Sequence, residues 1–345
     1  MWNEVDQLRS RGHQVTMIAA EGSDWVEPGS VFSIPAPTWP VGSSATDDTY
    51  PPSYEAVSVP ALDRALDVIA ANSQRFDVIS NHCLHGLPLR RAGELGVPMV
   101  STLHTPVDDD LVAAHRAATG ERSQFLSVSE HTRQQWAAAG IDSTVLFNAV
   151  DPAAWPLGPG GDDLVWFGRI VPEKAPHLAI DLAERLGRRL TIAGRVGDDA
   201  YAADFVFSRL SDSVRYVSHL SPDELAGLVG TSACSIGTPA WAEPFGLVAP
   251  EALMCGTPVA SFAVGGIPEI ALGSTGMSTA PLGDIDALAR AARALIDRSD
   301  TDPTFRSAVR ASAEARFSLA TRTVELEECF DRLIAGRNEF PGHAA

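Results

Sequence analysis

Short apolar, β-branched runs alternate with amphipathic stretches along most of the chain, the mark of repeated strand–helix units and parallel sheets. In the first half, residues 15–19, 76–80, 97–103, 124–128 and 144–147 read as strands. In the second half, residues 164–167, 189–193, 214–217, 233–236 and 258–262 do. Several of these runs are apolar almost without a break, as strands covered on both faces are. Between them, Leu178, Leu182 and Leu186 recur every four residues after Pro176, which suits a first-turn position. Ile285, Leu288, Ala289, Ala292 and Leu295 trace a second helical stripe. Residues 27–54, rich in Pro, Ser, Thr and Asp, read as a long loop near a site.

A turn-rich segment at 152–161, Pro-Ala-Ala-Trp-Pro-Leu-Gly-Pro-Gly-Gly, reads as a linker between two such domains. The expected division is 1–157, 158–320 and a C-terminal helix and tail at 321–345 placed to pack back on the first domain. The length of 345 residues suits two domains of about 150 each. Two such α/β domains in tandem leave a cleft with strand carboxyl ends directed into it, and ligands of open α/β sheets bind at those ends. The residues just after each strand are therefore the ones to read for chemistry.

Composition narrows the choice of ligand. Apolar residues make up 45% and charged residues 20%, so sizeable cores can be buried. The formal net charge of −18, from 26 basic and 44 acidic side chains, excludes the basic face that nucleic-acid binding needs. It gives no support to attachment on an anionic membrane either. Cys83, Cys234, Cys255 and Cys329 lie far apart, which points to free thiols in a reducing cytoplasm and to no zinc site. The chain shows neither an apolar run long enough to span a bilayer nor a basic-then-apolar start.

Two segments carry the chemistry. The longer runs from Glu243-Pro-Phe-Gly-Leu-Val-Ala-Pro-Glu251 through Gly256-Thr-Pro258 to Gly265-Gly-Ile-Pro-Glu269. Its first glutamate follows a strand, and its second lies near the beginning of the next helix. A helix start offers N–H groups to a diphosphate, while a carboxylate within that helix suits paired ribose hydroxyls. The second segment, Phe167-Gly-Arg-Ile-Val-Pro-Glu-Lys174, places an Arg and a Lys five apart in a strand-to-helix loop. Arg supplies a planar fork and Lys a compact charge, so both can neutralise one departing diphosphate. Each segment taken alone also fits a solvated helix face or a surface ion pair.

Asp108-Asp-Asp110 contains the Asp-x-Asp that chelates a metal in other sugar-transfer folds. Three acids after a proline read instead as a helix start, where they complement the helix dipole. His82 and His85 follow one strand and His104 another. A histidine at a strand end is often a satisfied core residue, and for His82 and His85 that reading stands.

In order and spacing, these segments resemble glycosyltransferase family 4, whose members have the GT-B fold of two Rossmann-like, doubly wound parallel-sheet domains. The resemblance also takes in Arg11-Gly-His-Gln-Val-Thr16, Phe76-Asp-Val-Ile-Ser-Asn-His82, Ser101-Thr-Leu-His104, Ser127-Val-Ser-Glu130, Asn148-Ala-Val-Asp151 and Thr191-Ile-Ala-Gly194. It implies an acceptor-side first domain and a second domain that binds a nucleotide sugar. Arg169 and Lys174, with Phe245, Gly246 and Leu247, would bind the donor diphosphate. Glu251 would hold the ribose, and Gly194, Val217 and His219 would border the base. Glu243 and His104 would serve the transferred sugar and the reacting centre.

The implied reaction is a retaining, metal-independent transfer from a nucleotide diphosphate sugar, with UDP favoured over GDP or ADP, to an unknown sugar, lipid or small-molecule acceptor. No cofactor is implied beyond the co-substrate. The match departs at its start: Met1 aligns within the family's first helix, so the first strand and the glycine-rich loop after it are expected to be missing. Two other readings remain: a GT-B hexosamine 2-epimerase, and an inactive relative that binds nucleotide or a partner. A phosphorylase of the glycogen type would need a pyridoxal lysine and a far longer chain.

Overall fold

A computed structural model of the chain describes residues 2–23, 26, 29–36, 38, 53–120 and 123–339. Most of the expected 27–54 loop lies outside them. The strands, in chain order, are β1 (Ala19–Ala20), β2 (Ser33–Ile34), β3 (Ile79–Asn81), β4 (Met99–Leu103), β5 (Gln124–Ser127) and β6 (Thr144–Val145). They continue with β7 (Leu164–Phe167), β8 (Leu190–Ala193), β9 (Val214–Tyr216), β10 (Cys234–Gly237), β11 (Val259–Phe262) and β12 (Met277–Ala280). The chain divides into two compact units. The first comprises residues 1–128, 132–146 and 323–345, and the second residues 129–131 and 147–322.

In the first unit β3-β4-β5-β6 form a parallel sheet whose strands follow one another in chain order, and β1 pairs in parallel with β2 apart from it. Alternation along β4 sends Met99 and Leu103 to one face, against Leu66, Leu95, Leu111, Phe125 and Trp136. Val100 points to the other, against Leu8, Leu126 and Leu146. Leu326, Phe330 and Leu333 of the C-terminal helix (Leu319–Glu339) complete that second cluster. Glu327 of the same helix pairs with Arg11 at 2.7 Å and His13 at 2.8 Å. The strand expected at 15–19 appears only as β1 at Ala19–Ala20, and the Val15 carbonyl ahead of it accepts from Arg9 Nη2 at 2.8 Å.

The second unit is a six-stranded parallel sheet in the order β12-β11-β10-β7-β8-β9. From β7 the chain winds outward through β8 and β9, then returns to β10 on β7's other side and winds away through β11 and β12. This is the doubly wound order, with its reversal between β7 and β10. β12 escaped the hydropathy pattern because Met-Ser-Thr-Ala is a short, half-polar edge strand. The helix Pro176–Leu186 begins at Pro176 as expected, but its buried face is Ala179, Ile180, Leu182 and Ala183, with Leu178 and Leu186 half-buried beside it.

The division falls ahead of the turn-rich 152–161 segment rather than within it, and the reason is local. Phe147 already packs on Phe245 and Phe317 of the second unit, with ring centroids 5.7 and 6.3 Å away. Two arginines of the helix Phe305–Phe317 then pin the segment down. Arg310 donates to the carbonyls of Pro152, Trp155 and Met254. Arg306 donates to those of Gly158, Gly230, Ser232 and Cys255 and to the Thr257 hydroxyl. Pro and Gly shape the turns here, and the guanidinium forks make them part of the packed unit.

Candidate functional site

A doubly wound sheet opens a crevice at its point of reversal, outside the carboxyl ends of the two strands that flank it. In the second unit those strands are β7 and β10. The loops that follow them carry Arg169 and Lys174 on one side and Glu243 on the other, and the structure brings the last two together. Lys174 Nζ donates to Glu243 Oε2, and the pair is half-buried. Arg169 lies toward Glu173, 3.5 Å from its carboxylate.

Lys174 is positioned through its backbone. Ala175 adopts the left-handed conformation (φ 44°) directly before Pro176, which opens the next helix. Thr238, at the end of β10, holds that turn by donating its hydroxyl to the Ala175 carbonyl at 2.9 Å. Trp166 in β7 donates its indole N–H to the same hydroxyl at 3.0 Å, and Ala240 N donates to the Glu173 carbonyl at 2.8 Å. Two of these hydrogen bonds, from Thr238 and Ala240, tie the two loops together close to the ion pair.

Glu243 is held from below and beside. Gly266 N donates to its carbonyl at 2.8 Å, and Ser129 Oγ donates to that of Pro244 at 2.6 Å. Gly265 has φ +56°, and a Cβ there would overlap the Glu243 backbone, which accounts for the glycine pair. Glu269, closing the same motif, accepts from the N–H groups of Glu130 and His131 at 2.7 Å each, a helix-start contact that gives it a structural duty. Trp241, which the sequence reading passed over, donates its indole N–H to Glu243 Oε2 at 2.9 Å and lies 5.2 Å from Lys174 Nζ. Its only sequence signal is a large aromatic in a loop two residues before a singled-out glutamate.

The other singled-out residues spread around this point. Phe245 is buried against Phe147 and Phe317, so its ring belongs to the core and its backbone is the part left for a ligand. Gly246 and the exposed Leu247 lead into the helix Val248–Met254. Gly194, after β8, has φ +144°, and a Cβ there would run into the Gly168 carbonyl. Its N–H donates to Ser218 O at 2.8 Å, while Val217 N donates to Ile192 O at 3.0 Å. Val217 is half-buried and His219 exposed, both past the end of β9.

The carboxyl of Glu251, one turn into its helix, has no hydrogen-bond or ion-pair partner among the described residues. Burial alone pushes its carboxyl up to about 7. The folded chain therefore holds this proton more tightly than the unfolded chain, whose value is about 4.3. Stability is unaffected below that value, falls as pH rises from about 4.3 to 7, and levels off above. About 3–4 kcal/mol is at stake. Glu251→Gln should flatten this slope, so that unfolding free energies at pH 5 and pH 8 differ less than in the wild type; an unchanged slope would mean that another group carries it.

In the first unit His104 follows β4 and His82 follows the adjacent β3. Their rings stack at 5.3 Å, with His82 Nδ1 2.9 Å from His104 Nε2. His85 is buried, 3.3 Å from the Glu55 carboxylate. Asp108 caps the helix Asp109–Ala117 by accepting from Leu111 N at 3.0 Å, and Asp110 accepts from Arg90 and Gly86 N. These acids do the work of a helix start. No group of three or more His, Cys, Asp or Glu side chains suited to a metal occurs among the described residues.

Comparison with known proteins agrees with this architecture. The Glycosyltransferase Family 4 model matches residues 1–154, and that of Glycosyl transferases group 1 matches residues 151–313. A D-inositol 3-phosphate glycosyltransferase of Frankia alni is 31% identical over 293 residues, 70% of each chain. A glycogen synthase of Mycobacterium tuberculosis is 33% identical over 236 residues, 58% of this chain and 55% of its own. The match thus spans little more than half of the latter's length. The Anabaena protein HepE, in complex with UDP and glucose, superposes with a TM-score of 0.66 over 81% of this chain and 83% of its own, at 19% identity. The fold class is GT-B, with two parallel-sheet α/β domains. The chain belongs to glycosyltransferase family 4.

Proposed function

We propose that the chain is a retaining glycosyltransferase that moves a sugar from a nucleotide diphosphate donor, UDP-linked by preference, to a hydroxyl acceptor without a metal. The observation that carries this reading is the meeting of Lys174 and Glu243 across the β7/β10 reversal, with Arg169 on the same loop. An ammonium has three donors, so Lys174 can keep Glu243 and still take a phosphate oxygen. Arg169 adds a second cation to the charge that develops on the leaving diphosphate. The backbone of Phe245, Gly246 and Leu247 lies at the same strand ends. Glu251 accepts the ribose hydroxyls, and Gly194, Val217 and His219 border the base.

Glu243 orients the hydroxyls of the transferred sugar, and His104 serves the transfer step. As the bond from the anomeric carbon to phosphate oxygen breaks, the acceptor oxygen bonds to the same face and its proton passes to the departing diphosphate. Both UDP in HepE and the glycosyltransferase names of the relatives favour this reading. The free thiols of all four cysteines fit a cytoplasmic setting. Incubation with UDP-, GDP- and ADP-sugars and a panel of acceptors should release one nucleoside diphosphate and give a product whose anomeric configuration, read by proton NMR, matches the donor. Inverted product would overturn the mechanism, and epimerised sugar without transfer would overturn the reaction.

A further inference from the structure

The His82–His104 contact extends inward. On the far side of its ring, His82 Nε2 lies 3.5 Å from Glu4 Oε1 and 3.1 Å from Ser80 Oγ. Glu4 belongs to the helix Trp2–Ser10 and is 7% exposed, and the His82 side chain is 9% exposed. β3 and β4 are parallel neighbours, with Asn81 opposite Ser101, so the residues that leave their carboxyl ends emerge side by side. Asn81 reinforces this by donating to Ser101 Oγ at 2.8 Å and accepting from Cys83 N at 3.1 Å. The result is a line of polar groups, Glu4 and Ser80, then His82, then His104, largely shielded from water.

Such a line has a direction. An ionised carboxylate only accepts, whereas a serine hydroxyl adapts by rotation. With the rings neutral, the carboxylate of Glu4, 3.5 Å away, favours the proton on the nitrogen of His82 that faces it, and the Ser80 hydroxyl can turn to accept from it. His82 Nδ1 is then the acceptor toward His104, and the single proton in the 2.9 Å contact must sit on His104 Nε2. Which nitrogen of an imidazole is protonated is set by what the other one meets.

We propose that Glu4, Ser80 and His82 fix the tautomer of His104, so that its Nδ1 stands as a hydrogen-bond acceptor for a hydroxyl of the transferred sugar. His82 is then a positioning residue, acting through His104. The sugar-facing role rests on the transferase reading above; the tautomer itself does not. An array of this kind explains why a histidine would be spent on a buried strand end where an apolar side chain would pack.

The test is long-range proton–nitrogen NMR of the histidine-15N-labelled protein at pH 8.5, where an imidazole in the ordinary range is neutral. His104 is expected as the Nε2–H tautomer. Glu4→Gln, whose amide both donates and accepts, should give a mixture of tautomers at His104, and so should His82→Phe. In a transfer assay His82→Phe should lower kcat by about tenfold, with the donor KM changed less than about threefold, the scale of losing a buried orienting partner. A wild-type His104 protonated on Nδ1 would overturn the proposal, as would an unchanged His104 spectrum in both variants. If His82→Phe fails to fold, the wild type and Glu4→Gln decide. The stated tautomer in a protein that transfers no sugar would support the array and remove the transferase reading.

Discussion

Lys174→Ala is expected to raise the Kd for a nucleoside diphosphate by about 10- to 150-fold, the 1.5–3 kcal/mol that a hydrogen bond to a charged group carries. The loss should exceed that for a surface lysine because Lys174 is held in place. Thr238 anchors the turn behind it, Ala240 ties its loop to the opposite one, and its ammonium sits between Glu243 and the Trp241 ring. Titration calorimetry of the variant and the wild type reads the difference directly. Glu243→Gln is the companion: it removes the carboxylate but keeps a hydrogen-bonding side chain beside Trp241. It should lower kcat while leaving nucleoside diphosphate affinity within about threefold, because the free nucleotide carries no sugar for it to orient. Equal affinity of Lys174→Ala and wild type would remove the loop after β7 from the site.

The largest effect on stability is expected from Arg306→Ala. One guanidinium satisfies four carbonyls and a hydroxyl where the 152–161 turns meet the strand and helix ends near Gly230 and Cys255. Removing it takes the guanidinium from all of these acceptors. The Gly230 and Cys255 carbonyls keep the N–H groups of Gly160 and Gly158, while those of Gly158 and Ser232 lose their side-chain donor, at a cost of about 3–5 kcal/mol. For a unit of this size, that corresponds to a fall in the melting temperature of the second unit of about 6–20 °C. Arg306→Lys should recover only part of it, since one ammonium cannot span the acceptors that the fork reaches. A fall of less than 2 °C in the alanine variant would show the segment to be held by other contacts.

The architecture was largely legible because its strands are of the buried parallel kind. The 164–167 run reads as a strand from its composition alone and is β7, residue for residue. The Rossmann-like units and the loops at their strand ends followed from the order of such runs. Short or half-polar strands did not read: β2 sits in a Pro/Ser-rich stretch and β12 at a sheet edge, so neither needs continuous apolar sequence. The compact units divide at 146/147, ahead of the turns; proline and glycine mark turns without saying what holds them. Arg306 and Arg310, about 150 residues further along, decide that.

For the site, residue types in a known spacing were enough to single out Lys174, Glu243 and Glu251. Their physical state was not. That Lys174 and Glu243 bond to each other depends on the placement of β10 beside β7, a neighbour relation between strands about 70 residues apart. Trp241 was passed over, and His82 was read as a core residue, for the same reason: what each touches comes from another loop. Glu269 shows the converse, a motif glutamate whose carboxylate is occupied by two backbone N–H groups.

The most direct test of the central claim is a thermal-unfolding series with UDP, GDP, ADP and a nicotinamide dinucleotide. Binding to the folded state raises stability by about 2.7 kcal/mol at a ligand concentration one hundred times Kd. A rise with one of the three diphosphates, clearly smaller in Lys174→Ala at the same ligand concentration, is the result predicted for a donor site at the β7/β10 reversal. A rise with the nicotinamide dinucleotide alone, or a clean transition that none of the diphosphates moves, would contradict it.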